Sequence, residues 1–297
     1  MADILKTLAA LTFNGISYGM ILFLISSGLT VTLGVMRLVN LAHCGFAMIG
    51  GYIAIAALPF LESVPWFRGL GLPASVPVAV AGTMIIAAVI ERTLFQWTYG
   101  ITELGQILMT IGLAFVMVAV CTILFGTELH TVPVPDWLTG NFNIAGVVVS
   151  VYRCFLVVVS GLIAIGIWYV VERTDFGARL RASVDNPRMA RCAGINVRRI
   201  FSFTFTVGCG LAAIGGVLGT QMLPIEPFYA LNYLILVLIV VATGGLGSLK
   251  GSFAAALIIG VIDTYGRYIL PAGGGFVMYA IVLVVLLARP QGLFARA

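Results

Sequence analysis

The amino-acid sequence predicts an all-α fold, a polytopic transmembrane helical bundle with about eight or nine membrane segments, some of them broken or re-entrant. Hydrophobic residues make up 61% of the 297 residues, charged residues make up 9%, and the mean hydropathy is +1.13. Soluble domains use roughly 45–50% apolar and about 25% charged residues. The apolar residues also fall in charge-free runs along the whole chain. We therefore expect one membrane domain, residues 1–297.

A helix that spans a bilayer needs roughly 20 mostly apolar residues, and this length locates the membrane segments. The uncharged stretch Thr7 to Met36 is too long for the core of a signal peptide, so it is expected to remain as the first membrane helix. In total the sequence predicts nine segments, at residues 10–34, 44–60, 76–91, 104–125, 153–171, 200–223, 232–247, 251–270 and 274–289.

The positions of Lys and Arg predict the orientation, because cytoplasmic loops carry the excess of positive charge. The loop 172–199 holds seven arginines against three acidic residues, so it is expected in the cytoplasm. Alternation of the segments then places the N-terminus on the outer side of the membrane and the C-terminus in the cytoplasm. The other arginines expected on the inner side are Arg37, Arg92, Arg289 and Arg296.

The expected outer side carries fewer cations, namely Lys6, Arg68 and Arg267, with Arg153 at the end of a span. Its loops, 61–75 and 126–147, are rich in proline and contain Trp66 and Trp137. Tryptophan is common at membrane interfaces, so we interpret these loops as short caps with interfacial anchors.

Several function classes are disfavoured by what the sequence lacks. The net charge of +5 lies in loops between apolar spans, so no nucleic-acid partner is expected. The motifs H-E-x-x-H and G-x-x-x-x-G-K-[ST] do not occur, and no catalytic residue, metal site, bound cofactor or ATPase site is expected in this chain. Five scattered cysteines without a C-x-x-C pair are expected to be free thiols.

Within the loop 172–199, the residues around Pro187 carry the signals of a short helix. Asn186 suits the cap, Pro187 the first helical position and Gly194 the left-handed stop. A second helical piece is expected at residues 177–183. Met189, Ala190 and Ala193 would be available to a groove of a cytoplasmic partner. The alternative is a basic loop that obeys the charge rule and contacts anionic lipid.

Two glycine-rich breaks, Gly34 to His43 and Thr243 to Gly251, interrupt hydrophobic runs in opposite halves of the chain. Paired interruptions are typical of broken helices that line a transport path. The alternative is tight loops at the membrane surface, or glycines packed for close helix approach. On the first interpretation the path residues are Asn40, His43, Cys44, Gly45, Thr243, Gly244, Gly245 and Gly247.

Single polar residues within or beside the spans allow two interpretations each. His43 is either a structural hydrogen-bonding residue or a ligand or proton relay. Asp263 lies inside a span, which favours a functional role, but Arg267 is one helical turn away and predicts a structural ion pair. Glu91, with Arg92, closes a span at the cytoplasmic face and is interpreted as a boundary charge, with contact to another subunit as the alternative.

Three segments carry a resemblance to a known family. Residues 181–196, RASVDNPRMARCAGIN, resemble the cytoplasmic coupling loop of the LivH-type permeases, the membrane subunits of bacterial branched-chain amino-acid ABC importers. Asn14-Gly15 with residues 28–43 resembles the family's N-terminal signature, and residues 243–251 resemble its C-terminal one. The similarity covers almost the full length. The chain departs from the family at Cys44, where Gly is usual, and at Lys250, where an apolar or aromatic residue is expected.

The resemblance implies a permease subunit of an ATP-driven importer in the bacterial inner membrane, translocating branched-chain or other hydrophobic amino acids. It implies as partners a periplasmic solute-binding protein, a second, LivM-like permease, and two cytoplasmic ABC ATPase subunits that use the ATP. The residues that would couple to the ATPases are Asp185, Asn186, Pro187, Arg188, Met189, Ala190, Arg191 and Gly194.

Other functions stay open at this point. Within the same superfamily the substrate could be urea, a short amide or an aromatic acid. A passive channel or a secondary transporter is the alternative from another class. Proton- or sodium-coupled carriers need acidic groups inside the membrane, and Asp263 is the one acidic residue clearly within a span, which counts against coupling.

Overall fold

The computed structural model of the chain describes residues 2–36, 40–67, 69–98, 101–144, 146–271, 273–289 and 291–293. The described residues are mostly α-helical, as predicted. Some residues used in the sequence analysis lie outside the described ones: Arg37, Arg68 and Arg296 of the orientation prediction, and Leu38 and Val39 of the N-terminal signature.

The elements follow one another as helices with one hairpin. They are α1 (Ala2–Met36), α2 (His43–Ser63), α3 (Leu72–Ile90), a π-helical turn (Glu91–Phe95), α4 (Gln96–Thr98), α5 (Glu103–Phe125), a 3-10 turn (Asp136–Leu138), β1 (Asn141–Ile144), β2 (Val147–Ser150), α6 (Val151–Arg173), α7 (Asp175–Asp185), α8 (Pro187–Cys192), α9 (Val197–Gly219), α10 (Tyr229–Asn232), α11 (Leu234–Gly244), α12 (Leu249–Ile269) and α13 (Gly274–Ala288).

Seven helices in the described part of the chain, α1, α2, α3 with its π-helical turn, α5, α6, α9 and α12, are long and apolar enough to cross a membrane. They match seven of the nine predicted segments. The other two predictions fall on shorter helices, α11 with 11 residues and α13 with 15. With α10 directly before it, α11 belongs to the apolar stretch Tyr229–Gly244, and this stretch and α13 are both shorter than the roughly 20 residues of a full span.

Helix α1 lies at the centre of the packing, with α9 and α12 against it. Gly15 and Gly19 are four residues apart on α1, and a Cβ added to Gly260 of α12 would lie 2.5 Å from the Gly15 oxygen and the Gly19 nitrogen. Small residues at this spacing let the backbones of membrane helices approach closely. The three glycines therefore explain why α1 and α12 pack without intervening side chains.

The predicted outer loop 126–147 contains a feature that the sequence analysis missed. Strands β1 and β2 form an antiparallel hairpin in which Asn141 pairs with Ser150. The turn contains Gly146 at φ 83°, a conformation that tight hairpins require and glycine adopts without strain. At the same end of the bundle, His130 exchanges two backbone hydrogen bonds of 2.8 Å with Ile225, which ties this loop to the segment after α9.

Candidate functional site

Helix α8 has both ends built as the sequence predicts. The Asn186 Oδ1 accepts a hydrogen bond from the Met189 amide at 3.1 Å, and Pro187 occupies the first turn. At the other end Gly194 has φ 79°, and its amide donates to the Arg191 carbonyl at 3.0 Å. Local signals therefore fix where this helix starts and stops. The predicted piece at 177–183 lies within α7.

One side of α8 faces solvent and the other faces the protein. Met189 is 65% exposed, and Arg188 and Arg191 are exposed beside it. We call these three residues the exposed face of α8. Ala190 is only 5% exposed, and its carbonyl accepts a hydrogen bond from the Ile195 amide at 3.0 Å. This corrects the expectation that Ala190 is available to a partner: its small side chain lets α8 pack against the rest of the protein.

The loop 172–199 is held against the membrane helices at both of its ends. Gly177 of α7 lies so close to Val171 that a Cβ would collide with the Val171 carbonyl, and the Arg181 guanidinium donates to that carbonyl. At the other end the Asn196 Oδ1 caps α9 by accepting from the Arg199 amide at 3.1 Å. A displacement of α8 would therefore be passed to both α6 and α9.

The first turns of α9 also contact the end of α3, through Glu91. The Glu91 side chain is fully buried in the π-helical turn, and the Ser202 hydroxyl donates to its Oε2. The Gln96 Nε2 donates to the same oxygen at 3.4 Å, and the Arg198 guanidinium donates to Gln96. Glu91 is thus a buried hydrogen-bonding centre and not the boundary charge that the sequence predicts. π-helical turns occur frequently at functional sites.

The two glycine-rich breaks meet at the end of α1. A Cβ on Gly34 would lie 2.5 Å from the Gly247 Cα, and a Cβ on Gly247 would lie 2.7 Å from the Gly34 Cα. Gly247 itself has φ 82°, so its backbone also favours glycine. Ser248 then caps α12 by accepting from the Gly251 amide at 3.1 Å. Where Gly34 meets Gly247, the glycines therefore allow close approach of the two backbones and do not line an open passage.

Helix α2 begins inside the bundle. The His43 Nε2 lies 3.0 Å from the Ile25 carbonyl oxygen of α1. Ile25 precedes Gly34 by nine positions, which is about 13 Å along an α-helix. His43 therefore lies well away from the contact between Gly34 and Gly247, so the two ends of the first break lie at different levels along α1.

Seven of the eight predicted path residues are buried, and only Gly247 is exposed. Within the described residues, three of their polar atoms have no hydrogen-bond partner: the Asn40 Nδ2, the His43 Nδ1 and the Thr243 Oγ1. Buried polar atoms are costly to leave unpaired, so packing alone does not explain these side chains. They do not line an open passage in this conformation, and their predicted contact with a substrate requires α2 and α11 to move.

A cavity of about 350 Å³ is lined by one residue of each predicted site, Asp185 of the coupling set and Gly247 of the path set. The Lys250 Nζ lies 5.6 Å from the centre of the Trp168 ring at this cavity, a cation–π contact that accounts for the charged residue where an apolar one was expected. The sequence analysis did not find the cavity, because its walls come from four separate segments. Residues from both predicted sites contribute to its lining, which includes Gly34, Glu172, Arg181, Asp185 and Gly247.

The predicted ion pair inside α12 is present. The Arg267 Nε donates to the Asp263 Oδ2 at 2.8 Å, with Asp263 buried and Arg267 largely exposed. The pair lies at the end of the bundle opposite α8, near the segment after α9. The structural ion pair therefore accounts for the Asp263 Oδ2, and it leaves the Oδ1 of the same carboxylate unexplained.

The chain is a bundle of apolar helices. It carries a capped basic helix at one end and glycine breaks between helices, and these features are those of a multi-pass membrane permease. The chain belongs to the family described as branched-chain amino acid transport system / permease component, which matches residues 11–286. This membership confirms the resemblance drawn from the three sequence segments.

Individual relatives agree with the family over nearly the whole chain. The permease protein BraD of a high-affinity branched-chain amino acid transport system in Pseudomonas aeruginosa is 29% identical, over 95% of this chain and 94% of that protein. The corresponding LivH protein of Escherichia coli K12 is 25% identical, over 96% and 94%. Among solved structures, PsaBC from Streptococcus pneumoniae in complex with Fab gives a TM-score of 0.49 at 14% identity, over 94% of this chain and 91% of that one.

Proposed function

We propose that this chain is the membrane-spanning permease subunit of an ATP-driven importer for branched-chain or other hydrophobic amino acids in a bacterial inner membrane. Family membership over residues 11–286 supports the transport role, and the branched-chain amino acid transport systems of BraD and LivH support the substrate class. ATP hydrolysis is assigned to two cytoplasmic ABC ATPase subunits. A periplasmic binding protein delivers the amino acid, and a second related permease completes the membrane unit.

The observation that carries the coupling proposal is the exposed face of α8. Met189 presents an apolar side chain between two arginines, and Ala190 anchors the helix on its other side. An amphipathic helix of this kind suits a groove on a cytoplasmic partner. The caps at Asn186 and Gly194 hold the helix as one unit, so it transmits displacement to α6 and α9.

For the substrate path, the structure corresponds to a closed state of the proposed gate. When ATP binding displaces the loop 172–199, the buried residues of the two breaks separate, and their unpaired polar atoms contact the substrate or its water. These residues are Asn40, His43, Cys44 and Gly45 of the first break and Thr243, Gly244 and Gly245 of the second. In the same orientation, the N-terminus and the β1–β2 hairpin face the periplasm.

The test is reconstitution. The tagged chain is purified from its host with whatever binds to it, inserted into proteoliposomes with ATP inside, and supplied with radiolabelled leucine, urea or benzoate. We expect ATPases and a second permease to copurify, and leucine to enter only with ATP and binding protein. Uptake without ATP would establish a channel or secondary transporter instead, and uptake of urea or benzoate alone would replace the substrate class.

A further inference from the structure

A polar cavity of about 510 Å³ opens at the end of the bundle opposite α8. Its walls come from the first half of α1, the first turn of α6, the segment after α9, the start of α11 and the end of α12. None of the predicted path residues contributes to it. Its volume falls in the range of roughly 300–1,000 Å³ that small-molecule sites occupy.

One carboxylate oxygen of Asp263, a residue that lines this cavity, has no partner among the described residues. Asp263 is 4% exposed, and its Oδ2 is paired with Arg267. Its Oδ1 is buried, and no donor of the described residues lies within hydrogen-bonding distance of it. A buried anionic oxygen without a donor is costly, so the structural ion pair satisfies only half of this side chain. Because Oδ1 has almost no accessible surface, a cationic donor in the cavity would reach it after a rotation of the carboxylate.

Two guanidinium groups face the same cavity. Arg153 lines it from α6 and makes no ion pair or hydrogen bond within the described part of the chain. Arg267 uses its Nε for Asp263, which leaves its outer nitrogens for another acceptor, and its side chain is 65% exposed. Guanidinium nitrogens bind carboxylates in charge-assisted, often bidentate pairs.

The remaining wall supplies apolar and aromatic surface beside polar side chains. Met222 and Leu223 come from the segment after α9, and Tyr18 and Tyr233 come from α1 and the start of α11. The polar members are Asn14, Gln221 and Thr264. Leu223 is 4% exposed, so this part of the wall is fixed by packing with the core. One cavity therefore combines a carboxylate with one unpaired oxygen, two guanidinium groups and an aliphatic and aromatic surface.

We propose that this cavity binds a free α-amino acid as its zwitterion on the outer side of the permease. The Asp263 Oδ1 accepts from the α-ammonium, Arg153 and the outer nitrogens of Arg267 bind the α-carboxylate, and the side chain lies against Met222 and Leu223. The proposal rests on the transport function above and extends it, because it places a low-affinity recognition site in the membrane subunit itself.

The assembled transporter in nanodiscs, without binding protein or ATP, tests this proposal by equilibrium binding of radiolabelled L-leucine. We expect saturable binding that is displaced by leucine and valine. Leucinamide, which lacks the carboxylate, and 4-methylpentanoate, which lacks the ammonium, should each compete about tenfold more weakly or worse, since each loses a charge-assisted hydrogen bond. Equal competition by either analogue would overturn the zwitterion site.

Variants complete the test. Arg153→Gln leaves the pair between Asp263 and Arg267 intact and should weaken leucine binding about tenfold or more, whereas Arg153→Lys should restore part of the affinity. Asp263→Asn should weaken it similarly, with folding checked by size-exclusion chromatography. Glu128→Gln, an exposed carboxylate in the same outer loops, is the matched control and should bind as the wild type does.

The outcomes separate this inference from the transport function. If the wild type imports leucine with ATP but binds none without the binding protein, the site is absent while the transport function stands. If Arg153→Gln and Asp263→Asn bind leucine normally and instead lose contact with the purified binding protein, the cavity is a protein-docking surface and the proposal is wrong. If no ATP-driven leucine uptake occurs at all, the transport function itself fails.

Discussion

Gly34 at the end of α1 and Gly247 before α12 contact each other backbone to backbone, although they lie in opposite halves of the chain. The contact joins the two glycine-rich breaks of the chain at the end of the bundle that carries the loop 172–199. A side chain on either residue would push α1 away from the segment that precedes α12.

Gly34→Ala should therefore lower stability. The added Cβ would meet the Gly247 Cα at 2.5 Å, and overpacking of this kind costs about 1–3 kcal/mol. Thermal unfolding of the purified protein in detergent, followed by tryptophan fluorescence, should show a lower midpoint. Gly161→Ala is the matched control, because nothing lies within 4 Å of a Cβ there; its midpoint should stay or rise. Equal midpoints for both variants would contradict the close contact.

Ser202→Ala should destabilise the contact between α9 and the π-helical turn. It removes one donor from the buried Glu91 carboxylate, a loss of about 1.5–3 kcal/mol for a hydrogen bond to a charged group. Chemical or thermal unfolding of the purified chain measures it. Thr93→Ala, on the same turn but exposed, removes a hydroxyl without touching Glu91 and should change stability little. A larger loss of stability for the Thr93 variant would show that Ser202 does not stabilise the π-helical turn.

Asn186→Ala should loosen α8. Loss of the cap costs about 1 kcal/mol, a large share for a helix of one to two turns. We expect faster proteolysis or hydrogen exchange within residues 186–194, together with slower ATP-driven uptake. Asn186→Asp keeps a capping oxygen and should restore both. If the Asp variant behaves as the Ala variant does, the amide group acts in some way other than capping.

The proposed orientation can be read from Cys192. This thiol is exposed on α8, whereas Cys44, Cys121 and Cys209 are buried and Cys154 is partly buried near the opposite end. In a Cys154→Ser background, a membrane-impermeant maleimide should label Cys192 in inside-out vesicles and not in right-side-out ones. Cys192→Ser in the same background is the blank. Labelling of Cys192 from the periplasmic side would show that the orientation is the opposite of the proposed one.

The structural features that the sequence predicts correctly are those that depend on residues close together in the chain. The ends of α8 follow from Asn186, Pro187 and Gly194, and the pair of Asp263 with Arg267 follows from their spacing of one helical turn. These features form within a few residues, so spacing and residue type are enough to find them.

What the sequence could not predict depends on distant segments. The burial of Glu91 needs Ser202, which arrives from another helix, and the inward position of Ala190 depends on how α8 sits on the protein. The cavity around Asp263 is assembled from five segments. The hairpin of β1 and β2 has four-residue strands, too short for a periodicity signal.

The central claim is that the exposed face of α8 receives the force of ATP hydrolysis. The most direct test replaces that face with opposite charge, Arg188→Glu, Met189→Glu and Arg191→Glu together, and measures ATP-driven leucine uptake by proteoliposomes of the assembled transporter. Because these side chains are exposed, the permease should fold and enter the membrane normally, while the ATPases no longer copurify and uptake falls to the level seen without ATP. Uptake at the wild-type rate with the ATPases still bound would contradict the claim.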